Sequence, residues 1–248
     1  MVRGLRPHVV GKEILSVQVR DPKLAPIVPT LALPATVASL SRRGKHILFD
    51  LGDRTLVLHL RMSGRLAWGT REPTGKVRLS LRFPDGGAHL VDPRRLGTTA
   101  VVERFVDELG PEPFGDLAWL PAALARSRMP VKLWLMDQKK IAGIGNIYAA
   151  EILFRAGIAP TRPAGSLSRK EVARLEDAIP SVLERAIAAG GTTLADGLYR
   201  GPTGENGEFR YELSVYGREG EPCPRCGARI ERSLLGGRGT YSCPRCQS

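Results

Sequence analysis

The sequence predicts an α+β fold with several domains: an antiparallel β-sandwich first, then helices, then a small metal-binding ribbon. Three observations predict this order. Apolar and polar residues alternate in the first half, apolar residues recur every three or four positions in the second half, and two Cys-x-x-Cys pairs stand near the end. A period of two is typical of half-buried strands, and a period near 3.6 is typical of amphipathic helices.

The strands are clearest between residues 45 and 91. The segment "KVRLSLRF" (76–83) alternates apolar and polar side chains, and "PDGG" (84–87) then turns the chain into "AHLVD". The segments "KHILFDL" and "TLVLHLRM" flank Gly52-Asp53 in the same way. Short strands joined by tight turns favour an antiparallel sandwich.

The helices dominate after residue 115. Ser168 and Glu171 predict a capping box before an apolar stripe that ends at Gly190-Gly191, and "NIYAAEILFRAG" (146–157) predicts a second helix. The change of period near "LGPEPFGD" (109–116) indicates a hinge. We therefore predict domains at 1–114, 115–210 and 211–248, with a mobile glycine-rich loop at 195–210.

The charge favours a polyanion as the partner. Lys and Arg number 37 against 25 Asp and Glu, which gives a formal charge of +12 and a pI near 10.1. A merely basic soluble protein is the alternative. The opening "MVRGLRPHVV" has no apolar leader segment, and prolines interrupt the least polar run (24–40), so we expect no membrane association and a cytoplasmic location.

The cysteines predict a zinc site. Cys223, Cys226, Cys243 and Cys246 have the spacing C-x2-C-x16-C-x2-C, which is typical of a four-cysteine zinc ribbon. Two disulfides or redox dithiols are the alternatives, but nothing indicates export and no thioredoxin-like pattern surrounds the pairs. Four thiolates leave no open position, so we expect one structural Zn²⁺ that stiffens a hairpin with Arg238 at its tip, "GGRGT".

Several segments resemble the formamidopyrimidine-DNA glycosylases, whose architecture the endonuclease VIII-like enzymes share. The segments are "HLRMSG" (59–64), "DPRRLG" (92–97), "GIGNIYAAEILF" (143–154), "GGTTL" (190–194), "VYGREGEPCPRCG" (215–227) and the closing ribbon. The resemblance runs from Arg3 to Gln247. It implies an N-terminal β-sandwich with flanking helices, a helix–two-turn–helix domain and a zinc finger, in a base-excision repair enzyme for 8-oxoguanine and formamidopyrimidines.

The resemblance also implies roles for individual residues in binding DNA. Met62, Arg94 and Leu96 match the wedge that fills the gap left by an extruded nucleotide, although many relatives have Phe in place of Leu96. Chemistry on a base needs such a wedge, because stacking hides the glycosidic bond. Arg95, Lys132 and Asn146 match phosphate contacts. From the residues alone, Met62 and Leu96 are better explained as core, and Asn146 is explained equally well as a helix cap.

For the chemistry, the resemblance implies that Lys45 assists β-elimination and that Arg238 is linked with δ-elimination. The family's chain begins P-E-L-P-E-V-E-T-V-R-R-G-L, and its N-terminal proline and adjacent glutamate form the Schiff base and move protons. The printed sequence begins Met1-Val2-Arg3-Gly4-Leu5. Two explanations compete: a start site assigned too far downstream, or a real truncation.

Three hypotheses about function follow. The first is a monomeric bacterial N-glycosylase and abasic-site lyase that acts on damaged double-stranded DNA and is associated with the nucleoid. The second is a catalytically inactive protein of the same fold that binds lesions or abasic sites. The third is a generic zinc-ribbon nucleic-acid binder, in which Arg94 and Asn146 contribute nothing to affinity for damaged DNA.

Overall fold

A computed structural model describes all residues, 1–248. The chain forms two compact units, and each of them is built from two separate segments of the sequence. The first unit contains residues Met1–Asp107 and Ala189–Arg210, and the second contains Glu108–Ala188 and Tyr211–Ser248. Whether residues 211–248 form a separate domain within the second unit stays a prediction. No helix has the length and apolar composition that crossing a membrane requires.

The first unit consists of ten strands with a short helix at the start. Its regular elements are α1 (Val2–Val9), β1 (Glu13–Ile14), β2 (Ser16–Val19), a 3-10 helix (Pro22–Thr30), β3 (Ala35–Thr36), β4 (Ser39–Arg43), β5 (His46–Asp50), β6 (Thr55–His59), β7 (Arg65–Gly69), β8 (Val77–Phe83), β9 (Gly86–Val91) and β10 (Thr98–Val102). Every strand pair in it is antiparallel, as predicted.

Two four-stranded sheets form the sandwich. Their strand orders are β10-β6-β5-β4 and β2-β8-β9-β7, and β1 pairs with β3 at the side. Phe49 and Leu58 of the first sheet and Leu79 and Leu90 of the second belong to one buried core, which Leu5 of α1 completes. Burial of this apolar surface is the main driving force for the unit, at roughly 25 cal/mol per Å². The alternation of β8 and the β5–β6 hairpin confirm the predicted pattern.

The second unit is helical and ends in a hairpin. Its elements are α2 (Leu120–Leu124), α3 (Val131–Met136), α4 (Asn146–Ala156), a 3-10 turn (Ala164–Ser166), α5 (Arg169–Ala188), β11 (Glu231–Leu235) and β12 (Arg238–Ser242), and a further 3-10 turn (Phe209–Glu212) spans the junction of the two units. Helix α4 ends at Gly157, whose φ of 71° is in the left-handed region that favours glycine.

The predicted capping box begins α5. The Glu171 carboxylate accepts the backbone N–H of Ser168 at 2.7 Å, and the Ser168 hydroxyl accepts the backbone N–H of Glu171 at 3.3 Å. Arg162 adds an ion pair to Glu171 at 3.0 Å. These hydrogen bonds lower the pKa of Glu171 to about 2, with the Ser168 amide as the main cause. The reciprocal bonds satisfy amides that the first turn leaves unpaired, which explains why the helix starts here.

Candidate nucleic-acid interface

The loop after β6 presents an exposed methionine. Met62 is 65% exposed, so most of its side chain lies in solvent. The loop is tightly wound, because Arg61 has a φ of 54° and the Gly64 amide donates to the Leu60 carbonyl at 3.0 Å. His59 Nδ1 accepts the backbone N–H of Arg61 at 3.0 Å. Met62 is therefore held outward by the loop and is not part of the core.

His59 can hold this loop because it stays neutral. Burial, followed by the charges of Arg61, His46 and Lys45, lowers the pKa of His59 to about 4. Its ring meets the ring of His46 edge-on, with centroids 4.7 Å apart. A neutral imidazole keeps one ring nitrogen as an acceptor, whereas an imidazolium has none. Lys45 itself is exposed at the start of β5, and its role in elimination stays a prediction.

A second loop, Asp92–Gly97, precedes β10 and closes around a buried carboxylate. Asp92 is 1% exposed, and its Oδ2 accepts the backbone N–H groups of Leu96 and Gly97, each at 2.7 Å. Its Oδ1 accepts the N–H of Arg94 at 3.2 Å. Burial by itself raises the pKa of Asp92, but these bonds and one from Ser63 outweigh it, so the pKa lies below its ordinary value.

The two loops are neighbours in the sheet. Strands β6 and β10 pair so that His59 faces Thr98, and one loop leaves β6 where the other enters β10. The Ser63 hydroxyl donates to Asp92 Oδ1 at 2.5 Å, which joins the loops directly. Met62 and Leu96, which is 38% exposed, thus stand on two connected loops.

Arg95 makes an internal ion pair in this structure. Its Nε and Nη2 donate to the two carboxylate oxygens of Asp21 at 2.9 and 2.5 Å. The Arg95 hydrogen bond is the main reason that the pKa of Asp21 falls to about 2. Arg95 has a φ of 57°, so its backbone is held in a conformation that non-glycine residues rarely adopt. The predicted phosphate contact of Arg95 stays a prediction, since its side chain lies against Asp21.

In the second unit, two predicted residues meet at one carbonyl group of the hairpin. Lys132 Nζ donates to the Gly239 carbonyl at 3.0 Å and to Thr240 Oγ1 at 2.6 Å, and Asn146 Nδ2 donates to the same carbonyl at 3.2 Å. Burial, and then the charge of Arg238, lowers the pKa of Lys132 to about 8. Lys132 is fully buried. It and Asn146 therefore fasten the hairpin, while their predicted phosphate contacts stay predictions.

The hairpin presents Arg238 at its tip. Gly236 and Gly237 form the turn with φ values of 56° and 72°, and Arg238, the next residue, is exposed. Two positive φ angles are typical of the type I′ turn that suits a two-residue hairpin loop. Leu133 packs below Gly236, where an added Cβ would approach its Cδ2 to 2.8 Å. The arginine thus projects from a rigid turn.

The four cysteines form one cluster. The Sγ atoms of Cys223, Cys226, Cys243 and Cys246 all lie within 4.8 Å of one another. The shortest pairs are 3.5 and 3.9 Å apart, too long for the S–S bond of about 2.0 Å, so the disulfide alternative fails. Tetrahedral zinc with Zn–S bonds of about 2.3 Å places its sulfurs about 3.8 Å apart. The cluster therefore fits one structural Zn²⁺, which all four thiolates would hold.

The segment Ala189–Arg210 returns to the first unit and is fastened at its base. Thr193 Oγ1 donates to the Tyr199 carbonyl at 2.8 Å and accepts the Gly207 N–H at 2.7 Å. The Tyr199 hydroxyl donates to the Gly190 carbonyl at 2.9 Å. Near its tip, the Pro202 carbonyl accepts the amide of Trp68 at 2.7 Å. The glycines predict a mobile loop, and the structure describes a loop with a clamped base.

Some residues that shape the site are not indicated by the spacing patterns of the sequence. Asp92 was visible only as the first residue of "DPRRLG", and its bond to Ser63 spans 29 positions. Asp21 and Arg95 are 74 positions apart. Glu151 of α4 is buried, and it accepts the amides of Ser214, Val215 and Tyr216 at 2.8–3.0 Å, which holds the chain leading into the zinc cluster. The one local signal for Asp92 is that an aspartate in a turn commonly accepts hydrogen bonds from backbone amides, here those two to five residues after it.

Family models match nearly the whole chain. Residues 1–99 match the formamidopyrimidine-DNA glycosylase N-terminal domain, and residues 109–197 match the formamidopyrimidine-DNA glycosylase H2TH domain. Residues 220–248 match a zinc finger found in FPG and IleRS. The three matches follow one another in the order that the resemblance implies.

Known proteins agree with the family models. The formamidopyrimidine-DNA glycosylase of Thermus thermophilus is 43% identical over 257 residues, which cover 99% of this chain and 94% of the relative. The Lactococcus lactis Fpg bound to abasic-site DNA is 33% identical with a TM-score of 0.89, covering 100% and 96% of the two chains. A mutant of that enzyme bound to DNA with Fapy-dG is 32% identical with a TM-score of 0.91 and the same coverage.

Proposed function

Because the chain belongs to the formamidopyrimidine-DNA glycosylase family, we propose that it finds oxidised purines in double-stranded DNA and releases them by cleaving their N-glycosidic bonds. The substrates are 8-oxoguanine and formamidopyrimidines. This function is the first of the three hypotheses, and the similarity to glycosylases seen with damaged and abasic DNA supports it.

One observation carries the proposal at the level of residues. An exposed Met62 stands on a loop that Ser63 and Asp92 join to the loop bearing Arg94 and Leu96. Apolar side chains that project from a fixed backbone can enter a base stack, and a nearby arginine can contact the strand that loses its base. The energy needed to unstack one nucleotide is a few kcal/mol, and it is least for a damaged base. A wedge of this kind therefore selects lesions.

Binding to the DNA backbone would come from the positive charge. The chain carries a formal charge of +12, and Arg238 is exposed at the hairpin tip. Contacts of Lys and Arg with phosphates release counterions, so affinity falls steeply with salt. The zinc would supply rigidity to the hairpin and no chemistry, because four thiolates complete its coordination.

We further propose that the protein cleaves the resulting abasic site by β- and δ-elimination, with Lys45 assisting the first step and Arg238 the second. Elimination needs an amine that forms a Schiff base with the sugar. An α-amino group suits this, because its pKa of about 7.7–8.0 leaves much of it neutral near pH 7. The family uses the amine of an N-terminal proline, which begins the segment P-E-L-P-E-V-E-T.

Borohydride trapping tests the chemistry. Residues 1–248 are compared with the same chain preceded by Pro-Glu-Leu-Pro-Glu-Val-Glu-Thr, on an 8-oxoguanine duplex. We expect a covalent adduct from the extended chain, and none when one further residue precedes the proline and blocks its amine. Lesion binding without an adduct from the extended chain would instead support the second hypothesis, a damage-binding protein.

Affinity measurements test the interface. Arg94→Ala should weaken binding to a lesion duplex by about tenfold, the loss of roughly 1.4 kcal/mol. Arg54→Ala is the matched control, since Arg54 precedes β6 and lies at the opposite end of that strand from the Met62 loop. Equal affinity of the two variants would support the third hypothesis, in which only the zinc ribbon binds.

A further inference from the structure

We propose that Asp92 is a positioning residue that couples two loops, so that Met62, Arg94 and Leu96 enter DNA as one wedge. The inference rests on the proposed function and deepens it. It assigns the alignment of the wedge to a side chain that itself has almost no access to DNA, since Asp92 is 1% exposed.

The side chain of Asp92 accepts four hydrogen bonds, and they come from both loops. Three come from backbone amides of Asp92's own loop, at Arg94, Leu96 and Gly97, and the fourth comes from Ser63 on the other loop. Both carboxylate oxygens are used. Because Ser63 follows Met62 directly, one carboxylate fixes the backbone next to each of the three wedge side chains.

The strands β6 and β10 pair below the two loops, but no other hydrogen bond joins the loops themselves. His59 holds only the Met62 loop, through the amide of Arg61, and Asp21 holds only the other loop, through Arg95. The Ser63–Asp92 bond is the hydrogen bond that passes from one loop to the other. Without it, the loops stay joined only at their bases, where β6 pairs with β10, and Met62 and Leu96 can shift relative to each other.

A carboxylate suits this closely packed position, because both of its oxygens accept hydrogen bonds. A Cβ on Gly97 would lie 3.2 Å from Asp92 Oδ2, so the carboxylate is closely surrounded. Asparagine has the same shape, but its NH₂ group would face either the two amides at Oδ2 or the donors at Oδ1. The Ser63 hydroxyl can rotate to accept from such a group, but a backbone N–H cannot, so in either orientation at least one buried amide loses its acceptor. Asp92→Asn therefore displaces the Asp92–Gly97 loop from Ser63.

The experiment measures extrusion directly and needs no bond cleavage. A duplex carries 8-oxoguanine beside 2-aminopurine, whose fluorescence rises when its neighbour leaves the stack, and a second duplex carries guanine in place of the lesion. The proteins are the wild type, Asp92→Asn, Ser63→Ala, the double variant and Asp85→Asn. Asp85 is the matched carboxylate, since it precedes β9 whereas Asp92 follows it, and it pairs only with Lys12 at the surface.

We expect the lesion-dependent rise to be about tenfold slower in Asp92→Asn and several-fold slower in Ser63→Ala, while affinity for the undamaged duplex stays within about twofold. Asp85→Asn should match the wild type. Because Ser63 acts through Asp92, Ser63→Ala should add nothing in the Asp92→Asn background. If Asp92→Asn unfolds, Ser63→Ala alone decides, since it removes one hydroxyl and leaves the three amide bonds in place.

Two results overturn the proposal. One is a wild-type rate in folded Asp92→Asn or in Ser63→Ala, and the other is an effect of the double variant equal to the product of the single effects. A different failure concerns the proposed function: if the wild type itself shows no rise that depends on the lesion, the wedge does not exist, and the loops have no extrusion to align.

Discussion

The hairpin of the second unit and the paired loops of the first unit both hold a few exposed side chains in place, but by different means. The hairpin strand β11 is almost wholly exposed, and its cluster contains four cysteines within 4.8 Å of one another. The loops contain no such cluster and are joined to each other by one buried carboxylate, Asp92. The loops extend from a sandwich with its own large core, whereas the hairpin has almost none.

The size of the nearby hydrophobic core therefore decides how a short projecting segment is held in place. A segment of fewer than about 40 residues rarely buries enough apolar surface to fold, and metals commonly supply the missing energy. A loop on a folded sandwich needs only to satisfy its own amides, which hydrogen bonds can do. Four experiments test this contrast, and they are ordered by the size of the change that we expect.

Removal of zinc should unfold the hairpin and leave the loops of the sandwich folded. Structural zinc contributes about 10–16 kcal/mol of folding free energy in small fingers, so a chelator should unfold residues 220–248 while the sandwich keeps its structure. Amide hydrogen exchange measures both regions at once, and added Zn²⁺ should restore the protection of β11 and β12. Equal loss of protection in β5 and β6 would contradict the contrast.

Glycine-to-alanine exchange should damage the loops more than the hairpin. A Cβ on Gly64 would lie well inside van der Waals contact with the Leu60 carbonyl, whereas a Cβ on Gly239 has nothing nearer than Arg232 Nε at 3.5 Å. We expect Gly64→Ala to cost about 1–3 kcal/mol, measured by urea unfolding of the first unit. Gly239→Ala should cost less than about 0.5 kcal/mol. Similar costs would show that the Met62 turn can relax.

Removal of one acceptor should loosen the hairpin without unfolding it. Thr240→Val deletes the hydroxyl oxygen that accepts from the Lys132 ammonium at 2.6 Å, and it leaves a buried charge with one bond fewer. We expect a loss of about 1.5 kcal/mol in the second unit, at the lower end of the range for a hydrogen bond to a charged group. Thr240→Ser keeps the hydroxyl and is the control. Thermal unfolding of the zinc-loaded protein measures the loss, and equal melting of the two variants would contradict the bond's role.

Acid should weaken the first unit through His59, by the smallest of the four effects when the pH falls only from about 7 to about 6. The pKa of His59 is lowered from 6.5 to about 4, mainly by burial, so the unfolded chain binds more protons than the folded one between those values. The free energy of unfolding therefore falls as pH decreases from 6.5 to about 4 and is constant in this term below that. His59→Asn keeps an acceptor and cannot titrate, so it should reduce the slope. An unchanged slope would assign the effect to other groups.

The sequence predicted what depends on local spacing. The cysteine ribbon, the capping box at Ser168 and the β5–β6 hairpin each lie within a short window, and the structure confirms all three. The contacts that hold the interface were beyond such reasoning. The Asp21–Arg95 pair and the contact of Lys132 with Gly239 join residues 74 and 107 positions apart, and only the fold brings them together.

The clamped base of the segment Ala189–Arg210 has a consequence for engineering and evolution. Thr192 and Glu208 pair across it as an isolated antiparallel bridge, and the Phe209 amide donates to the Gly191 carbonyl at 3.0 Å. The residues between these two ends therefore form a segment that can be exchanged for the corresponding segment of a relative. A replacement that keeps these end contacts and a carbonyl group for the Trp68 amide should leave the folding of the sandwich unaltered.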